Sequence, residues 1–275
     1  MGPVRPSREN LMTTRRALLA GAPAGLLAAQ SAFAPSALAD VLKGDGGDVE
    51  ALERLMVETL DEELGDRAVA RRLAALITEA GFRWEYPAFP VREADSVVAY
   101  SFGYRSKTGK VDANTGLSDG AETPEPGPVN ALLADAVQAI ARVRKVRVYA
   151  QWEIAQVLAA KHGMQDVVPI HPTIGPDGKV VYLSTDGVAK AIVAHAGSAQ
   201  ALGKVAVVGH RDHVKRCVLT SQANGMTAAV AREVPLPVVY DPQSAQPWTR
   251  RRDAYLLTDL TAQLSMIRNR VIAEL

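Results

Sequence analysis

One cysteine, Cys217, occurs in 275 residues. A lone thiol can neither close an intrachain disulfide nor supply the paired thiolates of a zinc or iron-sulfur site. An excess of one charge is missing as well, because 31 Lys and Arg stand against 30 Asp and Glu. A formal charge of +1 gives no global field to draw the chain onto nucleic acid or an anionic bilayer. No G-x-G-x-x-G and no G-x-x-x-x-G-K-[ST] occurs, so neither the standard nicotinamide fingerprint nor a phosphate loop can be assigned. What is present, 48% apolar and 22% charged residues, describes a globular protein of one large or two small domains, able to bury a substantial core.

The amino terminus carries an address. Arg15-Arg16 directly precede a weakly hydrophobic stretch of Ala, Leu and Gly reaching about Phe33, and Ala37-Leu38-Ala39 supplies an Ala-x-Ala site. This order reads as an export signal, and the paired arginines resemble the twin-arginine type. Pro23 and several glycines interrupt the run, which falls short of the roughly 20 apolar residues of a membrane span. Loss of residues 1–39 removes Arg5, Arg8, Arg15, Arg16 and Glu9 and turns the net charge from +1 to −2. The expected mature protein is exported, to the cell envelope or beyond, with no stable membrane span and no nucleic-acid partner.

Three regions are expected: the signal over 1–39, a helical N-terminal extension over 40–93 and an α/β domain over 94–275. In the extension, Leu52, Leu55, Met56, Leu60 and Leu64 repeat at helical spacing, as do Ala70, Leu73, Ala74 and Ile77, with a break near Gly65-Asp66. Beyond residue 94, extended runs at 96–102, 146–150, 180–184, 204–208 and 237–240, with a shorter one within 165–169, alternate with helical patterns. Asn130 is the expected N-cap of the first of those helices. Alternation of this kind implies a three-layer α/β fold with a mostly parallel sheet.

In such sheets ligands bind beyond the carboxyl ends of the strands. The polar residues at those ends are Ser101 and Gly103, then Gln151 and Glu153, then Ser184 and Thr185, then His210, Arg211, His213 and Arg216. If the four preceding strands are parallel, these groups converge. Glu153 and His213 are the candidate proton-transfer residues. Ser101, Gly103, Gln151, Ser184, Thr185, His210, Arg211 and Arg216 are the candidate ligand contacts, the hydroxyls and arginines suiting an anion. His210 and His213 lack the Glu and the four-residue offset of H-E-x-x-H, and no metal is assigned. Ser184, Asp186 and His210 have the residue types of a triad, but Ser184 does not stand in a G-x-S-x-G elbow. Cys217 is expected in the core.

The segment Val205 to Cys217, an apolar strand running into a polar turn and then His213-Val214-Lys215-Arg216-Cys217, resembles the late motif of the YdcF-like domain family of bacterial envelope proteins. Glu153 matches that family's Glu, and Thr185 the Thr of its Ser-x-x-Thr-like segment. The likeness spans roughly residues 94–260 and departs at Ser101-Phe102-Gly103, where the family is glycine-rich, and at Ala150-Gln151-Trp152, where it has Ser-Gly-Gly. The resemblance implies a Rossmann-like fold and an envelope location, and S-adenosylmethionine binding has been suggested within the family; no cofactor is assigned. The resulting expectation is an enzyme or former enzyme that binds a small anionic or phosphorylated envelope metabolite and hydrolyses or transfers a group. A non-catalytic envelope ligand-binding or protein-interaction module is the alternative.

Overall fold

The computed structural model describes residues 48–105, 125–174 and 180–275, and the expected export signal lies outside them. The chain divides into two compact units, residues 1–70 and 71–275. Helix α1 (Asp48–Leu64) ends at Gly65. Asp66 then accepts hydrogen bonds from the amides of Ala68 and Val69, both at 3.0 Å, and so caps helix α2 (Arg67–Gly81). The two helices and the break at Gly65-Asp66 are those the periodicity predicts.

The second unit is built on one six-stranded, all-parallel sheet. In chain order its strands are β1 (Ala88–Phe89), β2 (Ser96–Ala99), β3 (Arg147–Gln151) and β4 (Val167–Ile170). A separate antiparallel hairpin of β5 (Thr173–Ile174) and β6 (Val180–Val181) intervenes before β7 (Lys204–Val208) and β8 (Thr227–Ala231) complete the sheet. The spatial order is β1-β8-β7-β2-β3-β4. Helix α3 (Gly127–Val143) follows β2, α4 (Trp152–His162) follows β3, α5 (Thr185–Ala196) follows the hairpin and α6 (Arg211–Ala223) follows β7. Helix α7 (Arg252–Ala273) comes last.

Period-two alternation puts Val97, Ala99, Val148, Ala150, Ala206 and Val208 into one core, against Leu133, Val137 and Ile140 of α3 and Ile154 and Leu158 of α4. Val98, Tyr149, Val205, Val207 and Val230 enter the other core, against Val188 and Ile192 of α5 and Val214, Cys217 and Val218 of α6. Because both faces are covered, the central strands are apolar at successive positions and not merely at alternate ones. Each fully buried Val, Leu or Ile contributes roughly 1.5–3 kcal/mol, so the two cores together stabilise the three-layer, Rossmann-like arrangement. The chain steps outward from β2 to β3 and β4, then returns to β7 on the other flank of β2. The direction of winding reverses between β2 and β7, and the crevice at their carboxyl ends is the switch point of the sheet.

The structure departs from the sequence expectations at four points. The run at 180–184 supplies only β6, which pairs antiparallel with β5; Val181 is half exposed and unsuited to a central strand. The shorter run expected within 165–169 is borne out as β4, a member of the parallel sheet, and its Pro169 is tolerated because β4 is an edge. Residues 237–240 form no strand: the Pro237 carbonyl accepts from the Arg211 amide and the Val239 carbonyl faces the His210 ring, both outside any ladder. Thr227–Ala231 and Ala88–Phe89 are strands that alanine-rich composition and shortness concealed. Helix α3 begins at Gly127, so Asn130 sits within its first turn, fully buried, rather than at its N-cap.

Asn130 instead fixes the segment after β2. Its Oδ1 accepts from the Phe102 amide at 2.9 Å and its Nδ2 donates to the Gly103 carbonyl at 2.7 Å. Gly103 has φ of +70°, and a Cβ there would lie 2.7 Å from both Ser244 Oγ and Thr249 Oγ1. At Gly163, φ is +64° with no atom within 4 Å of a Cβ. Gly163→Ala is expected to cost only the ~1 kcal/mol of a left-handed residue. Gly103→Ala adds a clash to the same backbone strain and should cost ~3 kcal/mol or more in urea denaturation. Equal losses for the two variants would show that the close approach at Gly103 does not constrain the loop.

Candidate functional site

At the switch point lies a cavity of about 310 Å³. Ser101 and Gly103 reach it from the end of β2, Gln151 from the end of β3, Ser184 and Thr185 from the start of α5, and His213 and Arg216 from α6. Seven of the ten residues singled out at strand ends therefore line one cavity, although Ser184 and Thr185 arrive from the hairpin and not from a strand of the main sheet. Local hydrogen bonds explain their placement. Gln151 precedes α4 and accepts from the Ser101 amide at 2.8 Å through Oε1, tying the ends of β2 and β3 together. Ser184 caps α5, its Oγ accepting from the Gly187 amide at 3.1 Å. The N-cap residue of α4 and the N-terminus of α5 thus border one cavity, and the α5 terminus favours a bound anion.

Arg216 is the centre of this wall. Its Nε donates to Asp259 Oδ1 at 2.6 Å, one terminal nitrogen donates to Thr185 Oγ1 at 2.8 Å, and the other donates to Tyr255 Oη at 3.1 Å. Asp259 is fully buried and also accepts from Tyr255 Oη at 3.2 Å and from Gln263 Nε2 at 2.7 Å. Burial alone would raise the Asp259 carboxyl, but His213 at 3.6 Å and the Arg216 charge outweigh it and hold the group at about 2. The guanidinium is therefore a neutralised donor array, not a free cation. Its three bonds do not exhaust its N–H donors.

The remaining candidates divide by position. His213 lines the cavity, and burial together with the nearby Arg216 charge lowers its imidazole to about 4, so it is neutral near pH 7. Its Nδ1 has no hydrogen-bond partner, since 3.6 Å to Asp259 is too long for one. Glu153 is 1% exposed in the first turn of α4, close to Ser101, Tyr104 and Tyr182, and is not among the cavity-lining residues. Burial pushes its carboxyl up to about 7, and Oε2 is unpartnered. The Tyr182 hydroxyl is likewise buried without a partner, its ring stacked on Tyr104 at 4.6 Å. Open hydrogen-bonding capacity is concentrated here, where native interiors ordinarily leave little.

Two candidate contacts lie elsewhere. His210 is fully buried and stacked on Phe102 at 4.1 Å. Its Nδ1 accepts from the Asp212 amide at 3.2 Å, which leaves Nε2 to donate to the Val239 carbonyl at 3.1 Å. Both ring nitrogens are occupied, and burial lowers the group to about 4, so His210 is a neutral wedge under the loop. Arg211 is half exposed beside Asp212 and does not line the cavity. The triad types also separate, for Asp186 pairs with Lys190 on the surface at 2.7 Å and His210 bonds to neither it nor Ser184. A G-x-S-x-G pattern does occur, at Gly116-Leu117-Ser118-Asp119-Gly120, outside the described residues. Cys217 is fully buried and its thiol is pushed up by burial. Among the described residues no group of three or more His, Cys, Asp or Glu is placed to hold a metal.

The sequence reading missed Tyr255, Asp259 and Gln263. They recur every four residues on one face of α7 and all are buried. That polar stripe was the available signal. Compared with protein-family models, curated proteins and solved structures, the chain matches none. No described helix is long and apolar enough to cross a membrane.

The raised Glu153 carboxyl makes stability depend on pH. Between its ordinary value of 4.5 and about 7 the folded chain holds a proton that the unfolded chain releases, so this group's contribution is lost as pH rises through that window. Glu153→Gln removes the titration. Relative to the parent, the variant should gain up to roughly 3 kcal/mol between pH 4.5 and pH 8 in urea denaturation. A difference that stays flat across those pH values would show that Glu153 does not titrate there.

Proposed function

We propose that this protein binds a small anionic, phosphorylated molecule in the switch-point crevice and acts on it by hydrolysis or group transfer. The observation that carries the reading is the meeting of Gln151 at the head of α4, the N-terminus of α5 and the Arg216 guanidinium on a single cavity. An incoming anion would meet amide dipoles, hydroxyls and the remaining guanidinium donors, with Asp259 held behind Arg216. Neutral His213 would be the group that takes up a proton, with Asp259 placed to steady the resulting imidazolium. Glu153, set back from the cavity, would act through Ser101 rather than on the ligand itself.

The exported location follows from Arg15-Arg16 and Ala37-Leu38-Ala39, and likeness to the YdcF-like family from Glu153, Thr185 and the segment 205–217; both belong to the same proposal. The concealment of Glu153 favours a second reading, a non-catalytic envelope binding protein with the same pocket. Isothermal titration with inorganic phosphate, together with turnover of 4-nitrophenyl phosphate, separates the possibilities. Removal of Arg216 alone would strand a buried charge, so the informative change is the double variant Arg216→Gln with Asp259→Asn, which removes both charges. It should stay folded and lose at least about tenfold in phosphate affinity. Binding without turnover would establish the non-catalytic reading. Absence of phosphate binding by the parent protein would overturn the anion site.

A further inference from the structure

A second cavity, of about 450 Å³, adjoins the first. Ser184, Thr185, Arg216 and Ala262 line both. The Arg216–Thr185 hydrogen bond therefore stands at a waist between two compartments and not at the bottom of a single pocket. The compartments differ in character. The first is walled by Phe102, Tyr182, Trp248 and Tyr255 with Gln151 between them. The second has Ala223 and Met266 as its apolar part, with Thr220, Asp186, Asn269 and Arg270 around them.

A terminal phosphate needs one compartment for its single organic group. Here an anion at the waist would have room on both sides. The donor groups shared by the two cavities, the start of α5 and the guanidinium of Arg216, are also those suited to the anion. His213, more than nine-tenths buried, also lines the first compartment, with its Nδ1 turned toward Asp259 at 3.6 Å. We infer that the ligand is a phosphodiester, its phosphate at the Arg216–Thr185 waist and an organic group in each compartment. The inference rests on the anion reading above and narrows it: the bound phosphate is a linkage, not an end.

Ala223 is exposed at the last residue of α6 and lines the second compartment without lining the first. Ala223→Trp should fill that compartment while leaving the fold and the waist intact. Isothermal titration would compare inorganic phosphate, 4-nitrophenyl phosphate and bis(4-nitrophenyl) phosphate on parent and variant. In the parent, the diester should bind about tenfold more tightly than the monoester. Ala223→Trp should remove that advantage and leave inorganic phosphate affinity unchanged. Asn269→Trp, a second exposed change on the same compartment, should do the same. If phosphate binds but the diester gains nothing over the monoester, or if neither variant affects it, the linkage inference is overturned while the anion site stands. If the parent binds no phosphate at all, both readings are overturned together.

Discussion

The buried pair of Arg216 and Asp259 organises the carboxyl end of this sheet. The 2.6 Å contact joins α6 to α7, and the further bonds of Arg216 to Thr185 and Tyr255 bring in the start of α5. A charge in such a place is tolerable only if paired and hydrogen-bonded, since an isolated one costs several kcal/mol in desolvation. Gln263 and Tyr255 supply the additional bonds that Asp259 requires. Removing one charge therefore has a structural consequence that removing both does not. The pair also decides the polarity of the wall, because the carboxylate lies behind and the guanidinium lines both compartments.

A similar economy governs the opposite wall. The segment after β2 has little regular structure of its own, so its backbone groups need partners from elsewhere. Asn130 serves Phe102 and Gly103, Gln151 serves Ser101, and His210 lies flat beneath Phe102 with both nitrogens engaged. These are residues whose polarity invites a functional assignment. In three dimensions Asn130 and His210 work on the backbone, and Gln151 does so while also lining the cavity.

The sequence made the layered sheet legible because its central strands are buried on both faces. Val97-Val98 and Val205 to Val208 leave little alternative to a covered parallel strand. Edges were harder to read. Thr227–Ala231 owes its extended form to pairing with β7 and β1 more than to local preference, since three of its five residues are alanines beside Thr227 and Val230. The hairpin at β5 and β6 resembled a core strand because valine is common to both settings. Site residues within a short reach of a strand end were also legible, hence the convergence of Ser101, Gln151, Thr185, His213 and Arg216. Asp259 was harder to read, since it sits more than forty residues after Arg216 and only its four-residue spacing from Tyr255 and Gln263 sets it apart from a solvated aspartate on an amphipathic helix.

Protonation connects the site's groups into one electrostatic arrangement. With Glu153 raised to about 7 and His213 lowered to about 4, neither carries full charge over much of the range between, so the Arg216–Asp259 pair supplies the fixed charges beside the cavity. That pair sums to zero but is directional. Under the proposed reading an anion would enter a field of donors with no carboxylate lining the cavity. Its own charge would then raise the proton affinity of neutral His213, so that ligand and proton would arrive more readily together than separately. A site of permanently charged groups would bind the anion through long-range attraction and leave the imidazole no such response. Under the same reading, burial would keep His213 neutral without a ligand, and a bound anion would make that neutral imidazole the stronger proton acceptor.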